Sequence, residues 1–196
     1  MNRLIAGFGL GALMMASSVN ADSEKSVSEA ASLLERNRAT AEAFIDAFYS
    51  FDPSRLQALL THTDESAGRI LWYQGWAEGG NYKVLKRAAC EAESPTLFHC
   101  SITVQDDPVM ALHTGFNVTD TFHLTFDGSH IASISTSSND QPIYFEARQW
   151  VEANQPEVMA GPCNKETGNP GDCARAMTAG YAAYYQSLQK EPPSSD

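Results

Sequence analysis

The four cysteines of the chain constrain its fold more than any other feature. Cys90 lies about ten residues before Cys100, and Cys163 lies about ten residues before Cys173. Four cysteines allow three pairings, and the two local ones would each stabilise the fold by about 2–3 kcal/mol. The absence of a CxxC motif argues against thiol–disulfide exchange, and no histidine stands at zinc-finger spacing. We therefore expect disulfides, with the local pairs preferred, in an oxidising compartment.

The amino-terminal residues are typical of a cleavable export signal. Arg3 precedes an apolar run from Leu4 to Met15, and small residues lead to Ala21. This order predicts a signal peptide over residues 1–21, with a buried N-terminal helix as the alternative. The run is shorter than the about 20 residues that span a bilayer. We expect a secreted or periplasmic protein that has no membrane association after cleavage.

The charge of the chain excludes one class of partner. The sequence has 24 acidic and 13 basic residues, which give a formal net charge of −11. A surface of this sign repels phosphate backbones, and no cluster of Lys or Arg offsets it. Nucleic acid is therefore not an expected partner.

The periodicity of the first part predicts helices. A capping box formed by Ser26 and Glu29 predicts a helix that ends near Tyr49. Asp52 as N-cap and Pro53 at the first helical position predict a second helix.

The middle of the chain changes to a period of two, which predicts strands. We expect strands over 69–73, 82–90, 97–104, 118–126 and 130–136, with a break over 76–80 and a turn over 91–95. Asp127-Gly128 predicts a hairpin turn whose loop has two, three or four residues. Pro142 opens a further helix in which Phe145, Trp150 and Val151 are expected to pack inward. A last helical stripe runs through Met177, Tyr181, Tyr184 and Leu188.

Three of these segments resemble a known family. The segments Ser101–Asp107 and Val118–Ile131 look like the closing strands of the nuclear transport factor 2-like (SnoaL-like) superfamily. The helix ending Phe44–Phe48, followed by Asp52-Pro53, resembles its start, and the match covers roughly residues 29–155. The resemblance implies an α+β fold in which a strongly curved antiparallel sheet forms a cone around N-terminal helices and encloses a pocket.

The resemblance also suggests a division of the chain. We expect the signal peptide over 1–21 and the nuclear transport factor 2-like domain over 22–160. A disulfide-closed loop and an extra C-terminal helix follow over 161–190, and a disordered tail over 191–196. The cysteines and the segment after Pro156 lie outside the common pattern of the superfamily.

Enzymes of this superfamily place a carboxylate or a histidine in the pocket as general base, often with a tyrosine as hydrogen-bond donor. The candidates here are Asp46, Tyr73, His113, Asp120 and His123. His123 and Asp120 are the two that an enzyme would most require, although His123 can equally be a surface residue of its strand and Asp120 can guard a strand edge. No known catalytic set maps onto these positions, so no catalytic residue is assigned.

An aromatic group is the feature that most favours binding. Trp72, Tyr73, Trp76 and Tyr82 lie in a short segment interrupted by glycines and could rim a cavity for an apolar ligand, or simply cap the core. The histidines show no metal-binding spacing, and no cofactor motif occurs, so neither a metal nor a cofactor is expected.

The sequence thus favours an exported, non-catalytic domain that binds a small apolar ligand or a protein partner in or around the pocket. Two alternatives remain. One is an isomerase or dehydratase that performs acid–base chemistry on a hydrophobic substrate. The other is a structural module that forms a homodimer through its sheet.

Overall fold

A computed structural model describes the backbone of residues 18–190 and the side chains from residue 23 onward. Residues 1–17 and 191–196 lie outside it, and with them most of the expected signal peptide and the expected disordered tail. The elements in chain order are α1 (Ser18–Phe48), α2 (Pro53–Leu59), α3 (Ser66–Gly79), β1 (Lys83–Arg87), β2 (Glu91–Ser94), β3 (Leu97–Gln105), α4 (Asp107–Met110), β4 (Val118–Asp127), β5 (His130–Ser138), α5 (Pro142–Asn154), α6 (Pro156–Ala160) and α7 (Pro170–Lys190).

The first two helices follow the sequence closely, except at one boundary. Helix α1 ends at Phe48, as predicted, but the start at Ser26 is wrong because the helix already runs from Ser18. No Gly or Pro interrupts that stretch, so nothing in the sequence stops the helix there. The cap of α2 is confirmed: the Asp52 Oδ1 accepts from the backbone N–H of Ser54 at 2.9 Å, directly before Pro53.

Helix α3 corrects the largest error of the sequence analysis. The strand expected over 69–73 is wrong, and so is the break over 76–80 except for its last residue, because Ser66–Gly79 is one helix and Gly80 is its C-cap. Its buried residues recur at helical spacing: Ser66, Ile70, Gln74 and Ala77. The Gln74 Nε2 donates to the carbonyl oxygens of Ala47 and Phe48, both at 3.0 Å. It thereby gives a hydrogen-bond donor to carbonyl groups in the last turn of α1, which have no partner within the helix ladder.

The five strands form one antiparallel sheet in the order β1-β3-β4-β5, and β2 pairs with β3 beside β1. The turn expected over 91–95 is wrong for its first four residues, which form β2, because their backbone pairs with β3 in spite of polar side chains. The predicted hairpin is confirmed. Asp127 pairs with His130, so its loop has two residues, and Gly128 has a φ of 57°, a conformation that favours glycine.

One face of the sheet packs on the helices and forms the core. Along β3 and β4 the buried side chains alternate with partly exposed ones. The ring of Phe122, at the centre of the inner face, makes edge contacts with Phe44 at 5.4 Å and with Phe48 at 4.8 Å between ring centroids. Helix α1 therefore lies across the sheet, and its aromatic stripe fixes their relative position.

The carboxyl-terminal elements close the remaining side of the molecule. Helix α7 packs on α3 and α5, and its backbone approaches α3 closely, since a Cβ on Gly79 would lie 2.3 Å from the Cα of Gly171. Of the residues expected inside this region, Val151 and Tyr181 are buried, whereas Phe145 is 51% exposed. No helix within residues 18–190 is long and apolar enough to cross a membrane.

Both cysteine pairs are the local ones. Cys90 is bonded to Cys100, and Cys163 is bonded to Cys173. The first bond attaches the segment between β1 and β2 to the middle of β3, and the second joins the loop after α6 to the first turn of α7. Two disulfides fit a protein of an oxidising, extracellular environment.

Candidate functional site

A cavity of about 670 Å³ lies between one end of the sheet and the helices α3, α5 and α7. This volume falls within the range of about 300–1,000 Å³ that is typical of pockets for small molecules. Its sheet side is formed by Val118 and Asp120 of β4 and by the last residues of β5. Met159, Met177 and the disulfide between Cys163 and Cys173 line the opposite side.

The four aromatic residues singled out in the sequence all line this cavity. Trp72, Tyr73 and Trp76 project from α3, because positions three and four apart share one face of a helix. The rings of Trp72 and Trp76 are stacked, with centroids 5.8 Å apart and planes 22° apart. Tyr82 meets Tyr73 edge to face at 6.4 Å. Helical geometry thus gathers into one wall the side chains that a strand would have sent to two faces.

Asp120 is the buried acid of the cavity. It follows Val118 and precedes Phe122 at a spacing of two, so it lies on the inner face of the sheet and is only 4% exposed. Its Oδ2 has no hydrogen-bond partner among the described residues. Burial raises the pKa of Asp120 from 3.8 to about 6; a hydrogen bond from Tyr73 opposes this shift, and the negative charge of Asp140 adds to it. A buried acid with a free oxygen needs a partner, and a ligand can supply one.

Tyr73 complements Asp120. Burial, with further contributions from the charges of Tyr82 and Asp120, raises the pKa of Tyr73 well above its usual value. The phenol therefore keeps its proton at neutral pH and remains a hydrogen-bond donor at the cavity.

A second buried acid lies behind the cavity wall. Asp106 is 2% exposed, and its Oδ1 accepts from the backbone N–H of Val109 at 2.8 Å to cap α4. Burial raises the pKa of Asp106 to about 7; the bond from Val109 opposes this, and the charge of Asp120 adds to it. Burial, followed by the charges of Asp120 and Asp106, also raises the pKa of Tyr49. The two acids hence lie in one buried region, in which the charge of Asp120 disfavours ionisation of Asp106.

Cationic side chains surround the mouth of the cavity. Arg69 of α3, Arg148 of α5 and Lys165 of the disulfide-closed loop all line it, and all three residues are exposed. Phe145 and Trp72 stand beside them with exposed rings. The cavity therefore combines an apolar wall, one buried acid and a basic rim.

His123 lies on the other face of β4 and does not line the cavity. Its Nδ1 lies 2.6 Å from the Nδ1 of His99 on β3, and its Nε2 lies 2.9 Å from the Ser137 Oγ. The His99 Nε2 lies 2.8 Å from a Glu93 carboxylate oxygen. Burial, together with the charge of His99, lowers the pKa of His123. The cross-strand pairing of His99 with His123 brings together two residues that the sequence analysis did not connect.

The remaining candidates lie elsewhere. Asp46 forms an ion pair with Arg87 on the surface. His113 has a φ of 53° and its ring packs against Tyr185 at 4.5 Å. Within residues 18–190, no three His, Cys, Asp or Glu side chains are grouped so that they could hold a metal ion.

Sequence reasoning missed the far wall of the cavity. Tyr144, Met159 and Met177 come from three elements after residue 140, and helix α7 packs on both α3 and α5 to bring them to the cavity. Nothing in the local sequence indicates this contact, apart from the glycines Gly79 and Gly171 that permit it. Comparisons with protein-family models, curated proteins and solved structures found no match to this chain.

Proposed function

We propose that this protein is an exported domain that binds a small, largely apolar ligand in the cavity between the sheet and α3, α5 and α7. The observation that carries the proposal is the cavity itself, about 670 Å³ in volume and walled by Trp72, Trp76 and Tyr144. Aromatic walls of this kind contribute apolar surface at a low cost in conformational entropy.

Asp120 supplies the polar contact at the buried end of the cavity. An apolar ligand that displaces water from around the acid favours its neutral form further, and the protonated carboxyl then donates a hydrogen bond. The ligand would therefore carry an oxygen or nitrogen acceptor at its deeper end, within reach of Asp120 and Tyr73.

The finer architecture and the cellular location of the protein are part of the same proposal. Helices followed by an antiparallel sheet, with the Asp127-Gly128 hairpin, support a nuclear transport factor 2-like cone whose pocket is this cavity. Two disulfides support secretion or a periplasmic location with residues 1–21 as the signal. The homodimer through the sheet stays a prediction, and light scattering of the purified protein tests it.

The three tryptophans allow a direct test of the cavity. Trp72 and Trp76 line it, whereas Trp150 packs on Tyr184 outside it. We expect the neutral probe N-phenyl-1-naphthylamine to quench tryptophan emission of the purified protein. The response should be strongly reduced in the Trp72→Phe/Trp76→Phe variant, in which Trp150 alone remains to be quenched at a distance, and kept in the Trp150→Phe control.

Native mass spectrometry of the freshly purified protein complements this titration. A bound mass, released on denaturation, would identify the ligand directly. A protein that carries no ligand and gives no response to the probe would refute the small-ligand proposal.

One observation favours a second candidate, an acid–base enzyme for a hydrophobic substrate. Asp120 combines burial, a pKa raised to about 6 and a neighbouring tyrosine donor, which are the properties of a general base that removes a proton from carbon. In this candidate enzyme His123 is not a catalytic residue, because it lies outside the cavity.

The generic substrate 5-nitrobenzisoxazole tests the enzyme candidate. A carboxylate that takes its C3 proton breaks the N–O bond and releases 2-cyano-4-nitrophenolate, which is coloured. We expect a rate that rises with pH through about 6, the pKa of Asp120, and is lost in Asp120→Asn. A rate equal in both proteins would remove the enzyme candidate and leave the binding proposal in place.

A further inference from the structure

The charges around the cavity differ from those of the chain as a whole. The chain has 24 acidic and 13 basic residues, yet the cavity is lined by the three cations Arg69, Arg148 and Lys165 against the two acids Asp120 and Asp140. Asp120 lies at the buried end and Asp140 is partly exposed, so at the mouth three lining cations stand against the one lining acid Asp140 and the charge there is predominantly positive. A positive mouth on an acidic protein attracts an anion to this one place.

Two of the three cations are free to bind such an anion. Arg148 forms an exposed ion pair with Glu152 at 3.0 Å, a type of contact that contributes little. Neither Arg69 nor Lys165 forms an ion pair among the described side chains of residues 23–190, although Arg69 is close enough to Asp64 to help lower the pKa of that carboxyl. They come from α3 and from the disulfide-closed loop, on different walls of the cavity.

The apolar surface continues up to this basic rim. Trp72 is 39% exposed and Phe145 is 51% exposed, and both line the cavity beside the cations. An apolar body would cover these rings, while a charged group at the mouth would stay partly hydrated and so avoid the cost of full burial.

We propose that the ligand is an anionic amphiphile, a largely apolar body with the acceptor for Asp120 at its deeper end and one carboxylate at the mouth of the cavity. Arg69 and Lys165 attract the carboxylate, and the aromatic wall holds the apolar body. This inference rests on the proposed binding function and names the chemical class of the ligand.

Three probes with the same alkyl chain isolate the effect of the charged group. Dodecanoate and dodecyltrimethylammonium below their micelle concentrations, and 1-dodecanol below its solubility limit, are titrated into the full protein and followed by tryptophan emission. We expect dodecanoate to bind about tenfold more tightly than dodecanol, and the cation to bind most weakly. Because the rim is exposed, this preference should shrink when the salt concentration rises from low to physiological values.

A matched pair of variants locates the effect. Arg69→Gln/Lys165→Gln should lower the affinity for dodecanoate to that for dodecanol and leave dodecanol unchanged. Arg55→Gln/Lys86→Gln removes the same charge from exposed positions outside the cavity, and it should keep the preference.

The outcomes separate this inference from the function on which it rests. Equal affinity for dodecanoate and dodecanol, or tightest binding of the cation, would overturn the anionic class and leave the apolar cavity supported. Binding of none of the three probes would refute the binding function itself. If both double variants lose the preference for dodecanoate equally, the preference is due to the overall charge of the protein. That result would overturn the role of Arg69 and Lys165.

Discussion

The two faces of strand β4 differ in whether their ionisable residues have hydrogen-bond partners. Asp120 on the inner face has an oxygen without a partner among the described residues, and it faces the cavity. His123, three positions later on the outer face, is paired through both nitrogens, with His99 and with Ser137. Burial favours the neutral form of each, which raises the pKa of Asp120 and lowers that of His123. The unsatisfied group is the one that needs a ligand, so the candidate function lies on the inner face.

The largest expected difference between the faces is in stability. Phe122→Ala removes a fully buried ring from between α1 and the sheet, and it should lower the free energy of unfolding by about 3–5 kcal/mol. Its neighbour Thr121 points outward and shares a hydroxyl contact of 3.0 Å with Ser101, so Thr121→Ala should cost about 1 kcal/mol. Urea unfolding measures both. Similar losses would contradict the division into a core face and a surface face.

The two disulfides extend the comparison to the cavity wall. Both close loops with a sequence separation of 10, so replacing either pair with alanines should cost about 3 kcal/mol of stability. Only Cys163 and Cys173 line the cavity. We therefore expect the Cys163→Ala/Cys173→Ala variant to bind N-phenyl-1-naphthylamine more weakly, and the Cys90→Ala/Cys100→Ala variant to bind it as the parent does. Equal binding losses would show that the cavity responds to global stability alone.

The sequence predicts an element of this fold correctly where the residues that determine the element are neighbours in the chain. The cap at Asp52, the alternation along β3 and β4, and the hairpin at Gly128 each depend on neighbouring residues, and each is confirmed. The segment 69–73 is different. Its β-favouring aromatic and branched residues indicate a strand, yet Ile70, Gln74 and Ala77 bury one helical face against the rest of the chain. Tertiary packing overrides local preference there.

The same distinction applies to the site. The alternation that places Phe122 inside also places Asp120 inside, since the two are an even number of positions apart, so this signal was present in the sequence. The aromatic wall could be named as a group because its members are close in the chain. The basic rim could not, because Arg69, Arg148 and Lys165 are joined only by the packing of α3, α5 and the loop before α7.

Asp120 should affect how the free energy of unfolding depends on pH. The folded chain keeps a proton on this acid up to a pH of about 6, whereas the unfolded chain releases it near 3.8. Its contribution to the free energy of unfolding therefore falls as the pH rises from about 4 to about 6, by about 2–3 kcal/mol in total. Urea unfolding of the parent between pH 4 and 7 should show this decline.

Asp120→Asn should remove the part of the decline that Asp120 contributes, about 2–3 kcal/mol, since an amide does not ionise. The decline due to Asp106, whose pKa is raised to about 7, should remain in the variant. If the parent and Asp120→Asn depend on pH to the same extent, Asp120 is not buried in the way that the cavity requires.

The smallest expected effect concerns the outer face. Both imidazoles can be neutral if Ser137 donates to the His123 Nε2, the His123 Nδ1 donates to the His99 Nδ1, and the His99 Nε2 donates to Glu93. Burial and the charge of His99 hold the pKa of His123 below 6.5. Replacement by His99→Gln removes the second of these causes, so the pKa of His123 should rise, which an NMR titration measures. Binding of N-phenyl-1-naphthylamine should not change. An altered affinity would mean that the two faces of the sheet are coupled, and that a ligand in the cavity affects the histidine pair on the opposite face.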